Sequence, residues 1–127
     1  MIDKITWSTG AAAGSAGSAS ATGYSPHLTG KVLAVQVAYE DSPPATTDLT
    51  LIDESDPAGE TIVTLANQAT DVKLYPRRGV QSNANAALTY DGTRPVSEPY
   101  AVHGRLKATL AQANANDSAR VTVWLER

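Results

Sequence analysis

Ala119-Arg120-Val121-Thr122-Val123-Trp124-Leu125-Glu126 decides the fold: Val121, Val123 and Leu125 fall on one side of an extended chain, Thr122, Trp124 and Glu126 on the other. A period of two sustained over this length marks a strand with one face toward a core. The stretch from Tyr100 to Ala111 has the same form. Val102, Leu106, Ala108 and Leu110 face one way, and Arg105, Lys107 and Thr109 face the other. Between the two, Gln112 to Ser118 reads as a hairpin connection.

Working back from this pair, the strongest upstream strand runs from Lys31 to Glu40. Leu33, Val35, Val37 and Tyr39 form its core face, and Val32, Ala34, Gln36 and Ala38 the opposite one. Asp41-Ser42-Pro43-Pro44 ends it, because proline fixes φ and donates nothing to a ladder. Asp48 to Asp53, Thr61 to Leu65 and Val72 to Tyr75 are shorter strands, and Ile2 to Trp7 is a further one with Ile5 and Trp7 on one face. Val80 to Pro99 weakens into an Asn/Ala-rich loop with a turn at Asp91-Gly92. The best helical window, Ala58 to Ala69, is broken by the β-branched run Thr61-Ile62-Val63-Thr64. The expectation is an all-β chain, an antiparallel β-sandwich or jelly-roll-like barrel. At 127 residues it has room for one core, built by residues 30–127 and preceded by a strand and an extended arm over residues 1–29.

That arm, Ser8 to Gly23, is almost wholly Gly, Ala, Ser and Thr. It has little apolar surface to bury, so by composition it is flexible, and burial against another subunit is what would order it. Trp7, Ser8, Gly10, Gly14, Gly17, Gly23 and Tyr24 are accordingly its candidate partner-binding residues.

The chemistry the chain can carry is narrow. It has no cysteine, which excludes thiolate nucleophiles, disulfides and Cys-ligated metals. Its net charge is −3 and its basic residues are scattered, so neither nucleic acid nor an anionic membrane is an expected partner. Met1-Ile2-Asp3-Lys4-Ile5-Thr6-Trp7 lacks the form of a signal peptide, and no apolar run is long enough to span a bilayer. His27 and His103 lack metal-ligand or catalytic spacing and read as surface or strand-edge residues; no serine sits in a nucleophile elbow. The chain is therefore expected to be no enzyme and to need no cofactor. Asp53, Glu54, Asp56 and Glu60, with Asp41 and Asp48, could crowd oxygens around a weak Ca²⁺ site, although solvated turn carboxylates are commoner. Arg77-Arg78, beside Tyr75 and Pro76, could clamp a phosphate or carboxylate on a partner. Trp7, Tyr24, Tyr39, Tyr75, Tyr90, Tyr100 and Trp124 could line a sugar-binding face, the alternative being that both faces of their strands are covered.

A set of short runs carries a resemblance: Gly30-Lys31-Val32-Leu33-Ala34-Val35, Thr47-Asp48-Leu49-Thr50-Leu51, Tyr75-Pro76-Arg77, Ala87-Leu88-Thr89-Tyr90-Asp91-Gly92-Thr93, Val102-His103-Gly104-Arg105-Leu106-Lys107 and Val121-Thr122-Val123-Trp124-Leu125. Together they resemble small tailed-phage structural proteins of the head decoration, or cement, kind, from Gly30 onward. The resemblance implies a β-rich, often trimeric protein on the capsid exterior, where major capsid subunits meet, with no catalytic residues. Under it the partners are the major capsid protein and other copies of the chain, and the location is the virion. A carbohydrate-binding or adhesive β module, including a tail or baseplate accessory, is the competing expectation.

Overall fold

The computed structural model describes Met1 to Arg127 and contains strands and no helix. Eleven strands follow in order: β1 (Ile2–Ser8), β2 (Ala19–Tyr24), β3 (Leu28–Glu40), β4 (Asp48–Asp53), β5 (Thr61–Leu65), β6 (Val72–Leu74), β7 (Arg78–Gly79), β8 (Ser97–Glu98), β9 (Tyr100–Gly104), β10 (Leu106–Ala113) and β11 (Ser118–Glu126). They form two curled antiparallel sheets packed as a sandwich, as the alternation of the sequence requires. One sheet runs β1-β11-β3, and the long β3 then takes β9 along Leu28–Val32 and β6 along Val35–Val37. The other runs β2-β10-β4-β5. β7 and β8 form a small separate ribbon.

The core lies between the sheets. Val121, Val123 and Leu125 of β11 meet Leu106, Ala108 and Leu110 of β10 and Leu49 and Leu51 of β4, all fully buried. Removing a side chain of this size from water stabilises the fold by about 1.5–3 kcal/mol.

Three expectations are corrected. First, the segment from Tyr100 to Ala111 is two strands. β9 belongs to the first sheet and β10 to the second, and the chain turns the corner at Gly104, whose φ of 154° suits glycine. A Cβ there would also collide with the Ser55 side chain. It follows that Gln112 to Ser118 is no hairpin, because β10 and β11 lie in different sheets; the segment crosses between them. Second, β3 contains a bulge where Trp124 faces Ala34 and Leu125 faces Val32. The extra residue is Leu33. Val32 turns into the core together with Val35 and Val37, and Leu33 is left half-buried.

Third, the Ser8 to Gly23 tract is strapped down by its own chain. β1 pairs with β11, β2 pairs with β10, and the link between them lies on the β10–β11 crossing. Thr9 N donates to Ala119 O at 2.9 Å, Ala12 N to Asp117 O at 2.7 Å, Asn116 N to Ala12 O at 2.8 Å and Gly17 N to the Asn114 side chain at 2.9 Å. Ala12 and Ala19 are buried. Composition alone misleads here. Small side chains have little to bury, but they let backbone lie against backbone, and main-chain hydrogen bonds then supply the order. No second subunit is needed to hold this segment.

Candidate functional site

The strap closes the sandwich on the side where β1 and β2 are the sheet edges. The opposite side is open. There β5 pairs only with β4 and β6 only with β3, so each keeps a row of main-chain donors and acceptors without a ladder partner. Between them lies a shallow groove of 240 Å³, lined by Ile62, Val63, Thr64 and Leu65 on one wall and Leu74, Tyr75 and Pro76 on the other. Ile62 and Val63 are buried, while Tyr75 stands 63 % exposed at the lip. An apolar floor flanked by unpaired strand edges is suited to an extended chain: the edge pairs with its backbone and the groove takes alternate side chains.

The chain leaves the groove at Pro76 and makes an excursion to Pro99, held by the β7–β8 ribbon and by bridges at Gln81–Ala87 and Thr89–Pro95. Leu88 and Tyr90 are exposed on it. Its tip is a tight turn in which the backbone N–H groups of Arg94 and Thr93 donate to Asp91, aided by both side chains, and this lowers the Asp91 carboxyl to about 2.

The residues singled out in the sequence scatter. Trp7 is in the core; Ser8 and Gly23 meet where β1 passes β2; Gly14 and Gly17 belong to the strap. Gly10 is exposed at a turn with a φ of 79°, its N–H donating to Ser8 Oγ. Tyr24 faces outward from β2 beneath the Arg105 guanidinium, 4.0 Å from the ring centroid. Arg77 and Arg78 make no joint clamp. Arg77 Nη1 donates to Leu33 O at 3.0 Å, capping the carbonyl of the bulge, and to Pro76 O at 2.8 Å; Arg78 pairs with Glu98 at 3.7 Å. The other arginines are also paired: Arg94 with Asp91, Arg105 with Glu54, Arg120 with Glu40 and Arg127 with Asp3.

Nor do the turn carboxylates converge on a Ca²⁺ position. Asp53 is buried and accepts from Ser55 N and Oγ, Glu54 faces Arg105, and Asp56 caps Glu60 N. Only Trp124 and Tyr75 share a face: both stand against Lys73 Nζ on the outer side of the first sheet, with Nζ 5.7 Å from the Tyr75 centroid. Trp7 and Tyr100 pack on the core, Tyr90 sits on the excursion, and Trp124 faces outward under Lys73 Nζ, 4.2 Å from its centroid, with Lys4 at 5.8 Å.

Two features had no clear sequence signal. Thr22, Thr109, Thr50 and Thr64 stand in register across β2, β10, β4 and β5, on the outer face of the second sheet. His27 and His103, distant in the chain, lie edge to face with ring centroids 4.8 Å apart. Pairing across strands brings these residues together, and no local spacing announces it.

No family model matches the chain, and no curated protein does. Among solved structures it is similar to FlhE, with 14 % identity, 99 % of this chain and 98 % of that one covered, and a TM-score of 0.47. It is also similar to chitosan-binding module 1 of a Paenibacillus sp. IK-5 chitosanase/glucanase, with 7 % identity, 95 % and 76 % coverage and a TM-score of 0.48. A third is the SPBc2 prophage-derived protein YomS, with 12 % identity, 98 % and 95 % coverage and a TM-score of 0.41. These are likenesses of strand layout, and what those proteins bind stays with them.

Proposed function

We propose that this chain is a virion structural protein that decorates the outside of a phage capsid and stabilises it by clamping neighbouring major capsid subunits, as a homotrimer and without catalytic chemistry. The observation that carries the reading is the asymmetry of the sandwich, closed on one side by its own strap and open on the other along β5 and β6. A clamp has to add buried contact between subunits, and an extended segment of a capsid subunit laid along the β5 edge would do so through main-chain hydrogen bonds and the apolar groove. The resemblance from Gly30 onward supplies the identity of the partner. The clamp surface moves in this reading from the Ser8–Gly23 tract to the opposite side of the molecule.

A carbohydrate-binding module is the competing reading. It needs two or more rings on one open face; Trp124 and Tyr75, which share Lys73, are the pair that favours it, while the packing of Trp7 and Tyr100 on the core and the place of Tyr90 on the excursion weigh against a wider platform.

The test is co-sedimentation with purified shells of the major capsid protein, comparing the wild type with Tyr75→Ser. Saturable binding that raises the shell's rupture temperature, and that Tyr75→Ser weakens, supports the proposal. A chain that stays in the supernatant yet is retained on an immobilised glycan would overturn it in favour of the carbohydrate reading.

A further inference from the structure

We propose that His27 and His103 form a two-imidazole site for a borderline first-row divalent ion of the Zn²⁺ or Ni²⁺ class. They are the only histidines in the chain, and the fold brings them into contact from the β2–β3 loop and from β9.

The spacing fits a shared ion. With metal–nitrogen bonds of about 2.1 Å, each ring centroid lies about 3.2 Å from the metal, so two cis imidazoles stand about 4.5 Å apart at a right angle and about 5.2 Å apart at the tetrahedral angle. The observed 4.8 Å lies between these values. The rings are now edge to face, at 88°, so binding requires one of them to turn; both are exposed, and His27, in a loop, is free to do so.

The surroundings prepare the pair as ligands. Thr29 lies directly opposite His103 across the β3–β9 ladder, and its Oγ1 is 3.0 Å from His103 Nδ1. With the proton on Nδ1, donated to Thr29 Oγ1, Nε2 keeps its lone pair free for a metal; an oxygen behind the imidazole is the usual device for fixing this tautomer. The loop carrying His27 is pinned just upstream, where Ser25 N donates to Leu106 O at 2.9 Å and Ser25 Oγ accepts from Leu106 N at 2.8 Å. Pro26 further restricts the loop. His103 is fixed by the burial of its neighbours Val102 and Gly104. Two ligands leave the remaining positions of the ion to water.

The experiment is titration of the full chain with Zn²⁺, followed by calorimetry and by the imidazole resonances. One equivalent should bind and shift both histidines. His27→Gln and His103→Gln, both at exposed positions, should each weaken binding at least tenfold. Thr29→Val should weaken it by about tenfold or more and shift the His103 tautomer signal, and Thr29→Ser should restore both. Absence of Zn²⁺ binding by the wild type, or binding that survives both glutamine variants unchanged, would overturn the site. An unaltered affinity in Thr29→Val would overturn the positioning role given to Thr29.

Discussion

Gly23 shows how close two strands can come when a side chain is omitted. A Cβ there would overlap the Ser8 carbonyl oxygen and stand 2.7 Å from Thr9 Cα, both backbone atoms that cannot swing aside. Gly23→Ala should therefore destabilise the fold by about 1–3 kcal/mol, measured by denaturant unfolding. Arg77 acts in the opposite sense, filling a need the backbone creates: its guanidinium satisfies the Leu33 carbonyl where the bulge interrupts β3. Arg77→Ala should cost about 1 kcal/mol in the same assay. Tyr39 answers to pH. Burial above all, then the charges of Asp71 and Asp48, push its hydroxyl up to about 12. The folded chain thus holds this proton more tightly than the unfolded chain, in which tyrosine ionises near 10. The associated stability is fully present below pH 10 and is lost as the pH rises through about 12. A tyrosinate absorbance step at about 12 should be present in the wild type and missing in Tyr39→Phe. The Tyr39 hydroxyl has no hydrogen-bond partner, so that variant should be as stable as the wild type or slightly more so at neutral pH.

At the scale of elements, β4 and β11 were legible because alternation and turn residues bounded them: Leu49, Leu51, Val121, Val123 and Leu125 are all buried as their period implies. Sheet membership was not legible. The inward run Val102, Leu106, Ala108 and Leu110 continues through the corner at Gly104 without a break in pattern, so one apparent strand serves two sheets. Leu33 departs from the period of β3 for a related reason, since a bulge adds one residue and exchanges the faces on either side of it. The strap was hidden because its order comes from main-chain bonds to Asp117 and Ala119, which composition cannot register. Of the candidate site, Tyr75 was visible as one aromatic among several. The groove was not, because its walls come from two sheets. A chain beginning at Tyr24 would lose β1, nearly all of β2, and the buried Trp7, Ala12 and Ala19. It should fail to fold, seen as loss of near-ultraviolet circular dichroism and of amide dispersion.

For the whole molecule, the consequence is a body closed on one side by its strap and open on the other along β5 and β6. Exposed strand edges invite self-association, and natural proteins guard them with charge. Thr64 lies exposed on β5 at the groove and carries no such guard. Thr64→Lys should leave thermal stability within about 0.5 kcal/mol of the wild type, as expected for a surface change. It should nevertheless abolish co-sedimentation with capsid shells. Under the proposed function a capsid shell would cover the β5 and β6 edges, and amide hydrogen exchange on shell-bound protein reads this directly. New protection confined to Thr61–Leu65, Val72–Leu74 and Tyr75 is the predicted result. Unchanged exchange along both edges, with protection arising on the strap or the outer sheet faces instead, would contradict it.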